Sequence, residues 1–167
     1  MRRAAVTVIA AGESLRAPAR AALGFLADPL WWLAAAAGFG VALGLRYWVP
    51  SAMAASTVHG AAIWFSCVVW QPVLEEVIFR GMIQGELLRR RWGQTRWLGL
   101  SAANLVSSLL FTSIHFLHHP PLWAASVFVP SLLFGAVRER HRSVTAPIGL
   151  HVLFNLQFFL AAALAAG

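Results

Sequence analysis

A chain of 167 residues that is 59% apolar and only 11% charged, with a mean hydropathy of +0.69, departs from soluble domains, which average about 45–50% apolar and about 25% charged. The apolar fraction excludes disorder and the single cysteine, Cys67, excludes a disulfide scaffold. The net charge of +7 comes from thirteen basic residues, all arginine, set at the ends of apolar runs rather than on one face, which excludes a nucleic-acid module and describes an integral membrane protein.

Residues 1–21 carry a short apolar run, Ala4 to Gly12, between arginines. Glu13, Arg16 and Arg20 break the pattern of a cleaved signal peptide, so an uncleaved cytoplasmic or interfacial arm is expected, followed by one membrane domain over residues 22–167. The first span is expected from Leu30 to Val49, opened by Asp28-Pro29 and anchored by Trp31 and Trp32 at one interface and by Tyr47 and Trp48 at the other. Within it Gly40 and Gly44 have the GxxxG spacing of helix packing. A second span, Ala61 to Leu88, is too long for one straight perpendicular helix and carries Pro72 where a kink or break is expected. Three more follow at about Leu98 to Phe116, Leu122 to Val137 and Ala146 to Ala166, with Pro120-Pro121 turning the chain between the first two.

The expected fold class is therefore all-α, a multi-pass bundle of about five transmembrane helices. Its arginine clusters (Arg2, Arg3, Arg16 and Arg20; Arg89, Arg90, Arg91 and Arg96; Arg138, Arg140 and Arg142) share one side only if the N-terminus is inside, which leaves Arg46 to snorkel on the other. The bias to alanine and arginine is that of a GC-rich bacterial genome, and the inner (plasma) membrane is the expected location.

An ionisable residue at membrane depth costs roughly 2.5–3.5 kcal/mol, so each is a functional candidate. Glu75, Glu76, Arg80, His115 and His151 qualify, with Asn155 beside the last. Glu76 and Arg80, four apart with the acid first, share a helix face and read as a structural ion pair. Glu75 points about 100° away and has no partner on its own helix, which makes it the candidate general base. His115 lies one turn after Phe111, and taken alone suits a helix end at the interface. His151 and Asn155 are four apart, and alone could be a helix–helix hydrogen bond worth about 0.6 kcal/mol. Together the set can hydrolyse an amide: Glu75 with His115 would activate water, and His151 with Asn155 would bind the oxyanion, where losing one donor typically costs about 100–1000-fold in rate.

These residues stand in three ordered motifs: EExxxR at Glu75 to Arg80, FxxxH at Phe111 to His115, and HxxxN at His151 to Asn155. The sequence resembles, from about residue 60 to its end, the CPBP intramembrane proteases, also called the CAAX protease, bacteriocin-processing or ABI family, which includes the Rce1-type prenyl-protein endopeptidases. The resemblance implies a glutamate-dependent intramembrane endopeptidase in which Glu75 and His115 activate water, His151 and Asn155 form the oxyanion site, and Glu76 with Arg80 supports it. The expected partners are the bilayer and a membrane-protein or lipidated-protein substrate, with no nucleic acid. The short form resembles members associated with removing C-terminal sorting tails of exported proteins.

No cofactor is expected. The alternative is zinc held by Glu75, His115 and His151, or by Glu75 with His115, His118 and His119, but the chain has no HExxH, His118-His119-Pro120-Pro121 reads as an exposed turn, and Asn155 is a better donor than ligand. Counting straight helix from the arginine clusters puts His115 about 29 Å from Arg96, and Glu75 and Asn155 about 20 Å from theirs, which implies a cavity opening outward. Two readings without proteolysis stand beside this one. In a bacteriocin-immunity or assembly factor the polar residues would only tie helices together, and a small transporter or proton relay is disfavoured by the lack of paired broken spans.

Overall fold

The computed structural model describes residues 23–48 and 60–166, so the expected arm over residues 1–21 lies outside the described residues. A 3-10 turn, Gly24–Ala27, leads into α1 (Pro29–Trp48), whose first turn is capped by Asp28: its Oδ1 accepts from the Leu30 N–H at 3.0 Å. Helix α2 runs without a break from Ala61 to Leu88 and alternates between two windings. Segments Ala61–Phe65, Gln71–Glu76 and Gln84–Leu88 are α-helical, whereas Ser66–Trp70 and Val77–Ile83 are π-helical. Of the kink or break expected at Pro72, the break does not occur: the helix continues through the proline. The π-helical turn just before it widens the helix where the proline ring would clash with the carbonyl four residues earlier and where proline has no N–H to bond it.

Beyond α2 a 3-10 turn (Trp92–Gln94) precedes a two-residue antiparallel pair, β1 (Arg96–Trp97) with β2 (Leu100–Ser101), in the register Arg96 to Ser101 and Trp97 to Leu100. Leu98 (φ 50) and Gly99 (φ 84) make the tight turn between them, both left-handed as a two-residue hairpin requires. Ser101 then starts α3 (Ala102–His115), its Oγ accepting from the Asn104 N–H at 3.0 Å. Helices α4 (Pro121–Ser126), α5 (Phe128–His141) and α6 (Thr145–Ala166) complete the chain.

Four stretches of the described residues are long and apolar enough to cross a membrane: Pro29–Tyr47, Ala61–Leu88, Pro121–His141 and Thr145–Leu164. The protein is thus an all-α, multi-pass membrane protein. The span expected from about Leu98 to Phe116 is shorter than foreseen, because Leu98-Gly99 forms a hairpin turn and leaves α3 only 14 residues, about 21 Å long.

The core lies where α1, α5 and α6 meet, with Phe25, Trp31, Ala35, Phe134, Val137, Ala146 and Leu150 buried together. Trp31 Nε1 donates to the Ala146 carbonyl at 3.0 Å, tying α1 to the start of α6. Farther along, Ala42 packs on Ala161 and Ala162. The close approach of these two helices is at Gly38, where an added Cβ would stand 2.4 Å from the Phe154 ring, whereas nothing described stands within 4 Å at Gly40 or Gly44. The GxxxG pair therefore does not pack these helices; a spacing pattern does not say which face turns inward. Leu33, Val41, Met82, Val129 and Leu164 are exposed, as apolar side chains that meet lipid are.

Candidate active site

Glu75 and Glu76 close the central α-helical segment of α2, between its two π-helical turns. Such turns inside helices recur at functional sites, because the extra residue re-aims side chains and loosens carbonyls from the ladder. Glu76, Arg80 and Gln84 follow at four-residue intervals and are all fully buried. A buried charge is tolerable only when paired and hydrogen-bonded, and this stripe meets both conditions. Arg80 Nε lies 3.3 Å from Glu76 Oε2, an ion pair without hydrogen-bond alignment. Its Nη1 donates to Ser107 Oγ at 3.3 Å, and its Nη2 donates to Ser131 Oγ at 2.8 Å and to the Ser131 carbonyl at 2.9 Å. Ser107 Oγ in turn donates to the Phe79 carbonyl at 2.8 Å, and the Phe111 ring lies 5.2 Å from Arg80 Cζ. Gln84 Nε2 donates to the Gly135 carbonyl at 3.1 Å and to Glu139 at 2.9 Å.

His151 bridges the two adjacent carboxylates. Its Nδ1 is 2.9 Å from Glu76 Oε1, and its Nε2 is 3.7 Å from Glu75 Oε2. With Glu76 Oε1 as the acceptor, His151 Nδ1–H donates and Nε2 is the ring nitrogen on the side of Glu75. An imidazolium at this position would make the four groups, two carboxylates and two cations, neutral as a set. The Phe134 ring stacks on the imidazole, with centroids 4.6 Å apart and planes at 25°.

His115 joins this group through Phe111, whose ring is 4.6 Å from the His115 ring and 6.1 Å from the His151 ring. His115 Nδ1 donates to the Phe111 carbonyl at 2.8 Å, which leaves Nε2 as its free nitrogen. The His119 ring stacks with that of His115 at 5.8 Å, and the segment from His118 to Pro121 is exposed, as its sequence suggested. Helix counting overstated the depth of His115. Arg96 pairs with Glu139 at 2.7 Å, and Ser101 at the head of α3 also donates to Glu139, so Arg96 lies level with the start of the helix. His115 stands about 20 Å from that level, the separation expected for Glu75 and Asn155, and the argument for an outward opening loses its main support.

Asn155 Nδ2 donates to the Cys67 carbonyl at 2.9 Å, within the first π-helical turn of α2. One amide hydrogen is thus engaged and the other is left. Glu75, Glu76, Arg80 and His151 are brought into direct contact, His115 is reached through a ring, and Asn155 is tied to α2 rather than to the glutamates. The sequence reading did not single out Ser107, Ser131, Phe134 or Gln84. A signal existed for two of them: Ser131 is one of only two hydroxyl residues in the run 122–137, and Gln84 continues the four-residue spacing of Glu76 and Arg80. Among the described residues, no three His, Cys, Asp or Glu side chains are gathered so as to hold a metal ion.

A sequence profile described as Rce1-like, type II CAAX prenyl endopeptidase, matches residues 57–157, more than half of the chain and all three motifs. No curated protein and no solved structure matches the chain.

Proposed function

As the chain belongs to the Rce1-like family of type II CAAX prenyl endopeptidases, and is thus an intramembrane protease of the CAAX type, we propose that it works by a glutamate-dependent, metal-free mechanism on the C-terminal region of a membrane-associated or lipidated protein. The observation that carries the mechanism is the bridge of His151 between Glu76 Oε1 at 2.9 Å and Glu75 Oε2 at 3.7 Å. Glu75 is 28% exposed at its side chain whereas Glu76 has none of its side chain exposed, so of the two it is Glu75 that a water and a peptide can reach.

Glu75, with His115 Nε2, takes a proton from water as the oxygen attacks the peptide carbonyl. The tetrahedral oxyanion accepts from the imidazolium Nε2–H of His151 and from the second amide hydrogen of Asn155. Collapse restores the carbonyl, breaks the C–N bond and passes the proton held at Glu75 to the leaving amine, giving an acid and an amine. Glu76 and Arg80 hold His151 in place throughout. The finer assignment is C-terminal processing of exported proteins in a bacterial plasma membrane, with the N-terminus inside.

The test compares protein C-termini by mass spectrometry in membrane and secreted fractions of the host, with wild type beside Glu75→Gln and His115→Ala at matched expression. The reading requires that both variants insert and lose the same set of new termini. Unchanged termini in both, with a deletion phenotype present, would instead favour an immunity or assembly role.

A further inference from the structure

Helix α5 contains none of the three motifs, yet it touches the site twice. Ser131 is fully buried, and both its Oγ and its carbonyl accept from Arg80 Nη2, at 2.8 and 2.9 Å. One turn on, Phe134 is 2% exposed and lies with its face on the His151 ring. Residues three apart share a helix face, so one stripe of α5 makes both contacts.

The guanidinium is a rigid fork: once two of its nitrogens are fixed, the direction of the third follows. Ser131 fixes Nη2 and Ser107 fixes Nη1, so Nε is directed at Glu76 Oε2, 3.3 Å away. Among the described residues Oε2 has no hydrogen-bond partner, Arg80 Nε included, so it is the 3.3 Å ion pair with Arg80 that steers this oxygen of the Glu76 carboxylate. The other oxygen of that carboxylate holds His151 Nδ1. The imidazole is therefore directed at its edge through Ser131, Arg80 and Glu76, and at its face by Phe134. Edge and face together set where Nε2 lies, 3.7 Å from Glu75 Oε2.

We propose that Ser131 and Phe134 are positioning residues for peptide hydrolysis, which hold His151 Nε2 on Glu75 from a helix that supplies no catalytic group. The assignment rests on the protease reading above for its kinetic consequence, but its structural consequence stands apart from activity. Two arms separate them, both on the full chain in lipid nanodiscs. In the first, 15N NMR of ring-labelled histidine, assigned with His151→Gln and His115→Ala, reports the Nδ1–H hydrogen bond. Ser131→Ala and Phe134→Leu are each expected to shift or split the His151 ring signals while leaving those of His115 in place. In the second, cleavage of an internally quenched farnesylated CAAX peptide is expected to fall roughly 10–100-fold in kcat with KM within about twofold, the signature of a displaced rather than absent group. Ser131→Cys, nearly isosteric but a weaker acceptor, should lie between wild type and Ser131→Ala, and serves if the alanine variant does not accumulate. Unshifted His151 signals in both α5 variants overturn the proposal, as does a loss confined to KM. If wild type does not cleave this peptide, the host C-termini decide the protease reading, and the NMR arm alone decides whether α5 directs His151.

Discussion

Glu75 and Glu76 are the same residue type at adjacent positions, and only their neighbours separate their roles. Both oxygens of Glu76 face cations or an imidazole inside the bundle, whereas Glu75 meets His151 at 3.7 Å on a partly exposed side. Two isosteric substitutions should therefore part company. Glu75→Gln removes a proton acceptor without disturbing a buried ion pair, and peptide cleavage should fall about 100–10,000-fold with the thermal unfolding midpoint in detergent nearly unchanged. Glu76→Gln leaves Arg80 buried without its carboxylate, a change that typically costs about 3–5 kcal/mol, and the same unfolding measurement should show a large drop. Metal removal belongs at this scale too. With Glu75 and His115 as the water-activating pair, cleavage by the purified protein should be the same before and after treatment with 1,10-phenanthroline, and a loss restored by zinc would replace this mechanism with a metal-dependent one.

At the scale of elements, α2 matters for its winding. Its two π-helical turns flank Glu75-Glu76, and the first gives the Cys67 carbonyl to Asn155 of α6. Against α2 lie Ser131, Gly135 and Glu139 of α5, also four apart, which receive Arg80 and Gln84. Gly135 is required by the fit of α5 on α3, since a Cβ there would stand 1.9 Å from Asn104 Oδ1, itself buried. Gly135→Ala should lower stability by about 1–3 kcal/mol through overpacking. Gly40→Ala, with nothing described within 4 Å, should leave the unfolding midpoint unchanged or raise it, because alanine is the better helix former by up to about 1 kcal/mol. Thermal unfolding of the two variants side by side checks both. The GxxxG spacing pointed at Gly40 because a pattern within one helix carries no information on the partner's side chains; the Gly38 and Gly135 contacts depend on Phe154 and Asn104, far away in sequence.

For the molecule as a whole, the first helix is fastened to the last two at one end. Asp28 pairs with Arg140 and lies 3.2 Å from His141 Nε2, beside the Phe25, Trp31 and Ala146 contacts. The Arg140 guanidinium holds the Asp28 carboxyl below the ordinary carboxylate value. A depressed folded value means that the contribution is present above the unfolded value and is lost as pH falls through the folded one, so the fastening should loosen only below about pH 4. Hydrogen exchange over residues 23–33 at stepped pH checks this: protection should fall in that window, and Asp28→Asn should show the reduced protection already at neutral pH. By itself the sequence determined the membrane class, the order of the helices and the candidate residues of the three motifs. Hydropathy and helical spacing are properties of a local stretch of chain, and an ionisable residue is conspicuous in an apolar run. Only the tertiary structure decided that α3 is short, that α2 passes Pro72 unbroken, that His151 stands between two glutamates, and that Ser131 and Phe134 of a helix without motifs reach the site. Each of these depends on which helix faces meet, and so on residues that lie tens of positions apart along the chain.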